Sequence, residues 1–198
     1  MNRNLKFFLI FLGVVIVSFG VYRFFPKSFS ALNSIPQEFA DANQNATLIS
    51  QKIVDFSNAA ANDLIKINEL DTQKKYVDAL NLTSEAFNQN LEMRNQAVAL
   101  SNELDKMTQA LSQVASLGAR QAALEAISDR LAMVNKLINY SDYLNQLLLD
   151  LRLHFADQKI DPNQIEALIS QLNSEIRAIN ALNDQANSEI DQFNKLTQ

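Results

Sequence analysis

From residue 37 to residue 198 the chain contains one glycine, Gly118, and one proline, Pro162. Hairpins, tight turns and phosphate-binding loops need residues that reach positive φ or pre-set a bend. A β-sandwich and a Gly-rich nucleotide fold are therefore incompatible with this stretch. Long helices joined by a few connectors remain.

The apolar residues recur at helical spacing. Phe39, Ala42, Ala46, Ile49, Ile53, Phe56, Ala60 and Ile67 form a heptad-like seam, interrupted at Asp63, that predicts a helix over about 37–67. Ser34 and Gln37 match a capping box at its start, with Pro36 in the first turn. A second helix is predicted over about 72–116. Its seam is Val77, Leu80, Phe87 and Leu91, then Met93, Ala97, Leu100, Leu104, Met107, Leu111 and Val114. The step from Leu91 to Met93 shifts that seam sideways. Gly118 is expected to end the helix in the left-handed conformation.

The third helix, about 120–156, uses Leu124, Ile127, Leu131, Val134, Ile138, Leu144, Leu147, Leu151 and Phe155. The fourth, 162–196, opens on Asp161-Pro162-Asn163-Gln164. This puts an acceptor at the N-cap, Pro at the first helical position and Gln where it can bond back. Its seam runs from Ile165 through Leu172, Ile179 and Ala186 to Phe193. Asn68, Asp71 and Thr72 predict a turn between the first two helices. Ile67, Leu70 and Val77 nevertheless stay in phase, so one continuous helix over 37–116 competes with that reading. Four seams with short connectors predict an all-α fold, an elongated antiparallel four-helix bundle of coiled-coil character over 37–198. Arms of 35 residues at ~1.5 Å each make it about 50 Å long.

The first 25 residues have a different character. Phe7, Phe8, Leu9, Ile10, Phe11, Leu12, Val14, Val15, Ile16, Val17, Phe19, Val21 and Tyr22 lie in a sixteen-residue run without a charge. Leu5, Phe24 and Phe25 extend it, while Lys6 and Arg23 can snorkel to headgroups, so the segment predicts a single membrane span. Residues 1–25 then read as a cytoplasmic tip and signal anchor, and 26–36 as a linker bounded by Pro26 and Pro36. The competing reading is a cleaved signal peptide, because Ser28 and Ser30 satisfy a small-x-small site before Ala31. The length of the apolar run and the charges at Arg23 and Lys27 favour the anchor. Because only six residues precede the run, the N-terminus is placed in the cytoplasm and the bundle outside it, in the cell membrane of the envelope.

Residues 1–27 carry four basic side chains and no acid, whereas 28–198 carry the other 13 basic and all 22 acidic ones. An acidic domain without a basic patch repels phosphate, which excludes nucleic-acid binding. With no Cys in the chain there is no disulfide scaffold, thiolate metal site or cysteine nucleophile. His154 is the sole histidine, with Asp150 and Asp157 at i−4 and i+3. One His and two carboxylates make a thin ligand set, and a histidine near a helix C-terminus favours the macrodipole without any metal. No catalytic residue, cofactor or metal site is predicted. The sequons at Asn45, Asn81 and Asn139 are what chance gives in a chain with 22 Asn. Asn90, Asn145 and Asn183 fall on or beside the seams, where a buried amide fixes register or lines a polar cavity; Tyr140 and Tyr143 could join either.

The functional expectation is a membrane-anchored scaffold or adaptor, working by contact with a protein partner or with itself. In layout alone the chain is similar to LemA-type bundles and phage inner-membrane spanins, which implies a protein-contact role in the envelope. The alternative is a ligand-sensing four-helix ectodomain acting through a partner, or a secreted helical protein if the N-terminal segment is removed.

Overall fold

The computed structural model describes residues 28–29 and 35–197. Four helices carry nearly all of them: α1 (Gln37–Thr72), α2 (Tyr76–Ala110), α3 (Leu117–Phe155) and α4 (Pro162–Leu196), with a 3₁₀ turn at Leu111–Gln113. The apolar run from Phe7 to Tyr22 and the capping residue Ser34 lie outside the described residues. Among those described, no helix is long and apolar enough to cross a membrane.

The helices alternate in direction. Phe39 at the start of α1 stacks on Phe193 near the end of α4, with ring centroids 6.0 Å apart. Gly118 at the start of α3 lies beside Leu196. At the opposite end Asp71 of α1 meets His154 of α3 at 3.3 Å, and Tyr76 of α2 stacks on Phe155 of α3. The first end is the linker end, the second the distal end. All four helices contribute to one core cluster.

Both distal turns are made without glycine. Lys74 takes φ 57°, and the Lys75 N–H reaches back to the Leu70 carbonyl. Asp157 takes φ 58°, and the Gln158 N–H reaches the Leu153 carbonyl. Each is a left-handed helix ending in which a residue with a Cβ sits where glycine is usual. The break after Thr72 rules out one continuous helix over 37–116, and it falls a few residues later than Asn68 and Asp71 had suggested.

Gly118 ends nothing. It is the second residue of α3, and no described glycine has positive φ. The α2 segment stops at Ala110 through the 3₁₀ turn, and Ser116 caps α3 by accepting from the Ala119 N–H at 3.3 Å. Gln37 also departs from the capping-box expectation. Its side chain donates forward to Asp41 Oδ1 at 2.7 Å, and Pro36 occupies the N-cap without a side-chain bond. The fourth helix begins at Pro162, with Asp161 accepting from the Asn163 N–H at 2.9 Å.

Two seams are drawn partly on the wrong face. Met93 to Val114 of the second seam and Ile127, Val134, Leu144, Leu147, Leu151 and Phe155 of the third are buried as expected, and the differences lie in the other residues. The face of α2 that enters the core is Ala79, Thr83, Ala86, Asn90, Met93, Ala97, Leu100, Leu104 and Met107, an unbroken three-four repeat. Val77 and Leu91 are exposed, and Leu80 and Phe87 are half-buried. On α3 the inner face opens with Ala119, Ala122, Ala123 and Ala126, while Leu124 is exposed and Leu131 and Ile138 are half-buried. Alanine on the inner face lets helix axes come together. The backbones approach over longer stretches between α1 and α2 and between α3 and α4 than between α2 and α3.

Candidate functional site

Two arrangements inside the bundle use polar chemistry. The first is a bridge between α2 and α3 halfway along the rod. Asn90, 1% exposed, donates both amide hydrogens, one to the Ser141 carbonyl and one to Asn145 Oδ1, each at 2.7 Å. The fully buried Ser141 hydroxyl returns a bond to the Asn90 carbonyl at 3.4 Å. A side chain reaching a neighbouring helix's backbone fixes both rotation and register, because a slip by one residue leaves buried donors unpaired. Nearby, the Ser57 hydroxyl of α1 donates to the Met93 sulfur at 3.1 Å. Asn183 of α4 is buried at 3% exposure but is not part of this bridge. Tyr140 is buried, which pushes its hydroxyl pKa far above the ordinary value, and Tyr143 is half-buried.

The second arrangement is a clasp on the linker, which the seams gave no reason to expect. Phe29 is 4% exposed, its ring edge-on to Phe39 at 5.1 Å and to Phe193 at 4.9 Å. The guanidinium of Arg130, itself buried, sits 5.6 Å from the Phe29 ring centroid. Burial lowers that guanidinium to about 10. Backbone on either side of the ring is held by amides: Asn43 donates to the Phe29 carbonyl at 3.4 Å and Asn194 to the Ser28 carbonyl at 3.3 Å. The Ser28 and Thr47 hydroxyls approach to 3.4 Å. Three helices thus hold two linker residues, with α1 and α4 on either side and α3 beneath. The one signal in the sequence was an aromatic residue alone in the polar segment Lys27-Ser28-Phe29-Ser30.

His154 is half-buried and lies across the bundle from Asp71 Oδ1, 3.3 Å away, a partner the sequence did not suggest. Asp150 is buried, and Asp157 forms the turn. Among the described residues, no group of three or more His, Cys, Asp or Glu side chains is placed to hold a metal ion. Several carboxyls are strained by their surroundings. Burial raises Asp63, partly offset by Lys66 and a hydrogen bond from Gln89. Burial also raises Asp129 and Asp150, and it raises Glu189 together with the nearby Glu125 and Asp129. Glu125, Asp129 and Glu189 thus lie near one another between α3 and α4, whereas Asp63 faces Lys66, Gln89 and Glu85. The span residues Phe7 to Tyr22 are outside the described part.

No protein family, no curated protein and no solved structure matches the chain.

Proposed function

We propose that the chain is a membrane-tethered helical scaffold, an elongated antiparallel bundle that works by protein contact and is mounted on its N-terminal apolar run. The observation that carries this reading is the clasp. Cleavage before Ala31, the one credible processing site, would remove Phe29 from the core and leave Phe39, Phe193 and Arg130 facing a void. A bundle that needs residue 29 for its packing favours retention of the segment before it. Tyr22 is six peptide steps from Ser28, a reach of at most ~20 Å, so a span at Phe7–Tyr22 holds the linker end near the bilayer surface. The inner polar groups serve register, and the reading assigns no chemistry to them.

The test is fractionation of cells expressing the full chain. The protein stays with membranes after carbonate washing, and a single cysteine placed at the distal turn, Lys74→Cys, is labelled by an impermeant maleimide from outside the cytoplasm. Recovery of the chain in the soluble fraction would overturn the tether. Labelling only after the membrane is broken would overturn the orientation.

A further inference from the structure

The helices close on one another along three sides of the bundle. The backbone of α1 runs against α2, α2 against α3 and α3 against α4, whereas α1 and α4 barely approach. At the linker end Phe29 fills the gap, with Phe39 on one wall and Phe193 on the other. Beyond Phe29 both walls continue at helical spacing. On α1 the wall is Asn43, Thr47, Ser50, Val54 and Ala61, a stripe beside the core seam. Val54 and Ala61 are only 5% and 3% exposed. Thus α1 buries two stripes, where its hairpin partner α2 buries one. On α4 the wall is Asn173, Asn180, Asn187 and Asn194, one residue every two turns, each half-buried. Side chains buried on two helices that do not meet call for a further element between them, because folded interiors hold few voids larger than a water molecule.

The chain enters this gap at the clasp and points along it. Asn43 donates to the Phe29 carbonyl at 3.4 Å, while the Ser28 hydroxyl meets that of Thr47, one turn further along α1, at 3.4 Å. From the other wall Asn194 holds the Ser28 carbonyl at 3.3 Å. Passing from Phe29 to Ser28, the chain therefore heads toward the distal end. The 27 residues that precede Ser28 include the uncharged run over 7–22, with Arg3 and Lys6 before it and no acid anywhere. The distal end of the groove has the opposite character. The last turn of α1 holds Glu69 and Asp71 and no basic residue. Asn68 Oδ1 is buried there without a hydrogen-bond partner among the described residues. A helix C-terminus of this kind favours cations.

We infer that the α1–α4 groove is a docking site for the chain's own segment 5–25, which seats there as a fifth helix, antiparallel to α1, when no bilayer holds it. This goes beyond the tether by giving the same run a second seat, with Pro26 and Lys27 as the point where it turns into one or the other. The lengths agree. As a helix at ~1.5 Å per residue, the 27 residues before Ser28 reach about 40 Å, and α1 from Thr47 to its end covers about 37 Å. With Ser28 level with Thr47, the antiparallel register brings Lys6 and Arg3 to the last turn of α1, beside Glu69 and Asp71. In water the uncharged run would form a large exposed apolar patch of the kind soluble proteins avoid. The groove covers it, and a bilayer competes for the same residues, so docking and insertion exclude each other while the clasp stays closed in both.

The test uses the full chain made by cell-free synthesis, with and without vesicles of phosphatidylethanolamine and phosphatidylglycerol. The chain lacks cysteine, so paired substitutions report proximity without background. Ser18 falls level with Ser57 in the antiparallel register. Ser18→Cys is therefore combined with Asn58→Cys on α1, or with Asn173→Cys or Asn180→Cys on α4. The control is Ser18→Cys with Leu91→Cys, exposed on α2 two residues from Met93, which touches Ser57. Without vesicles, oxidation should give an internal disulfide at one or more groove positions, roughly tenfold faster than in the control, because bridging needs Cα atoms within ~7 Å. Vesicles should lower that yield as they take up the chain. No groove disulfide without vesicles, or an equal yield at Leu91→Cys, would overturn the proposal. So would an undiminished groove disulfide in chain that vesicles retain through carbonate washing. Retention is scored separately: retained chain that never forms a groove disulfide fails docking alone, and bridged chain that vesicles never retain fails the tether alone.

Discussion

Phe29 does more for this fold than its place in a linker suggests. Its ring touches two aromatic side chains and a buried guanidinium, and the backbone at Ser28 and Phe29 is bonded to two asparagines. Phe29→Ala is expected to destabilise the bundle by ~3–5 kcal/mol, the usual range for emptying a buried aromatic site. Urea unfolding of wild type and variant measures this, and a change below ~1 kcal/mol would mean the ring is dispensable. Glycine is misplaced in the opposite sense. The bundle's one glycine, Gly118, lies in a helix where an added Cβ would sit 3.4 Å from Leu196 Cδ1, an ordinary contact. The left-handed residue Lys74, by contrast, has a side chain. Gly118→Ala and Lys74→Gly should therefore each stabilise, by roughly 0.5–1 kcal/mol. Thermal melting of the two single variants and their pair tests both signs.

Among the elements, α4 was the most legible from the sequence and α2 the least, for one physical reason. The inner face of α4 is built from Ile165, Leu168, Leu172, Ile176 and Ile179, so the most hydrophobic face is the buried one. In α2 the inner face begins with Ala79, Thr83, Ala86 and Asn90, while larger apolar residues point outward or sit at the edge. Hydrophobicity alone then picks the wrong face, and the apparent sideways shift at Leu91 comes from joining two seams. In the same way α3 hides its core behind Ala122, Ala123 and Ala126. The lysine and aspartate that turn the chain left-handed at the distal end carried no turn signal, because that role is normally read from glycine. The Asn90 bridge was half visible: the seam placed Asn90 and Asn145 near the core, but only the register brings Asn90 to both Asn145 and Ser141. Asn90→Ala should cost ~1–3 kcal/mol by leaving Asn145 and the Ser141 carbonyl without their donor. On α3, Ala123→Leu should cost ~1–3 kcal/mol by overpacking, whereas Leu124→Asp should stay within ~0.5 kcal/mol. Equal effects at 123 and 124 would show that the inner face has been drawn wrongly.

Across the whole molecule, the resolved carboxyl shifts all run one way: Asp63, Asp129, Asp150 and Glu189 are raised, chiefly by burial. A raised carboxyl holds its proton more tightly in the folded chain than in the unfolded one. Stability from these groups is therefore greatest when they are protonated and is lost as pH rises through their folded values. The melting temperature should rise as pH is lowered from neutrality toward the ordinary carboxylate range, and Asp63→Asn should flatten that rise. A melting temperature that falls steadily over the same range would contradict the assignment. The proposed tether makes Phe29 the joint between the apolar run and the bundle. The most direct measurement is the intact mass and N-terminal sequence of the protein recovered from washed membranes of cells expressing the full chain. A single species that retains Phe7–Tyr22 and Phe29 is predicted. A mature protein beginning at Ala31, folded and stable without the clasp residue, would contradict the claim.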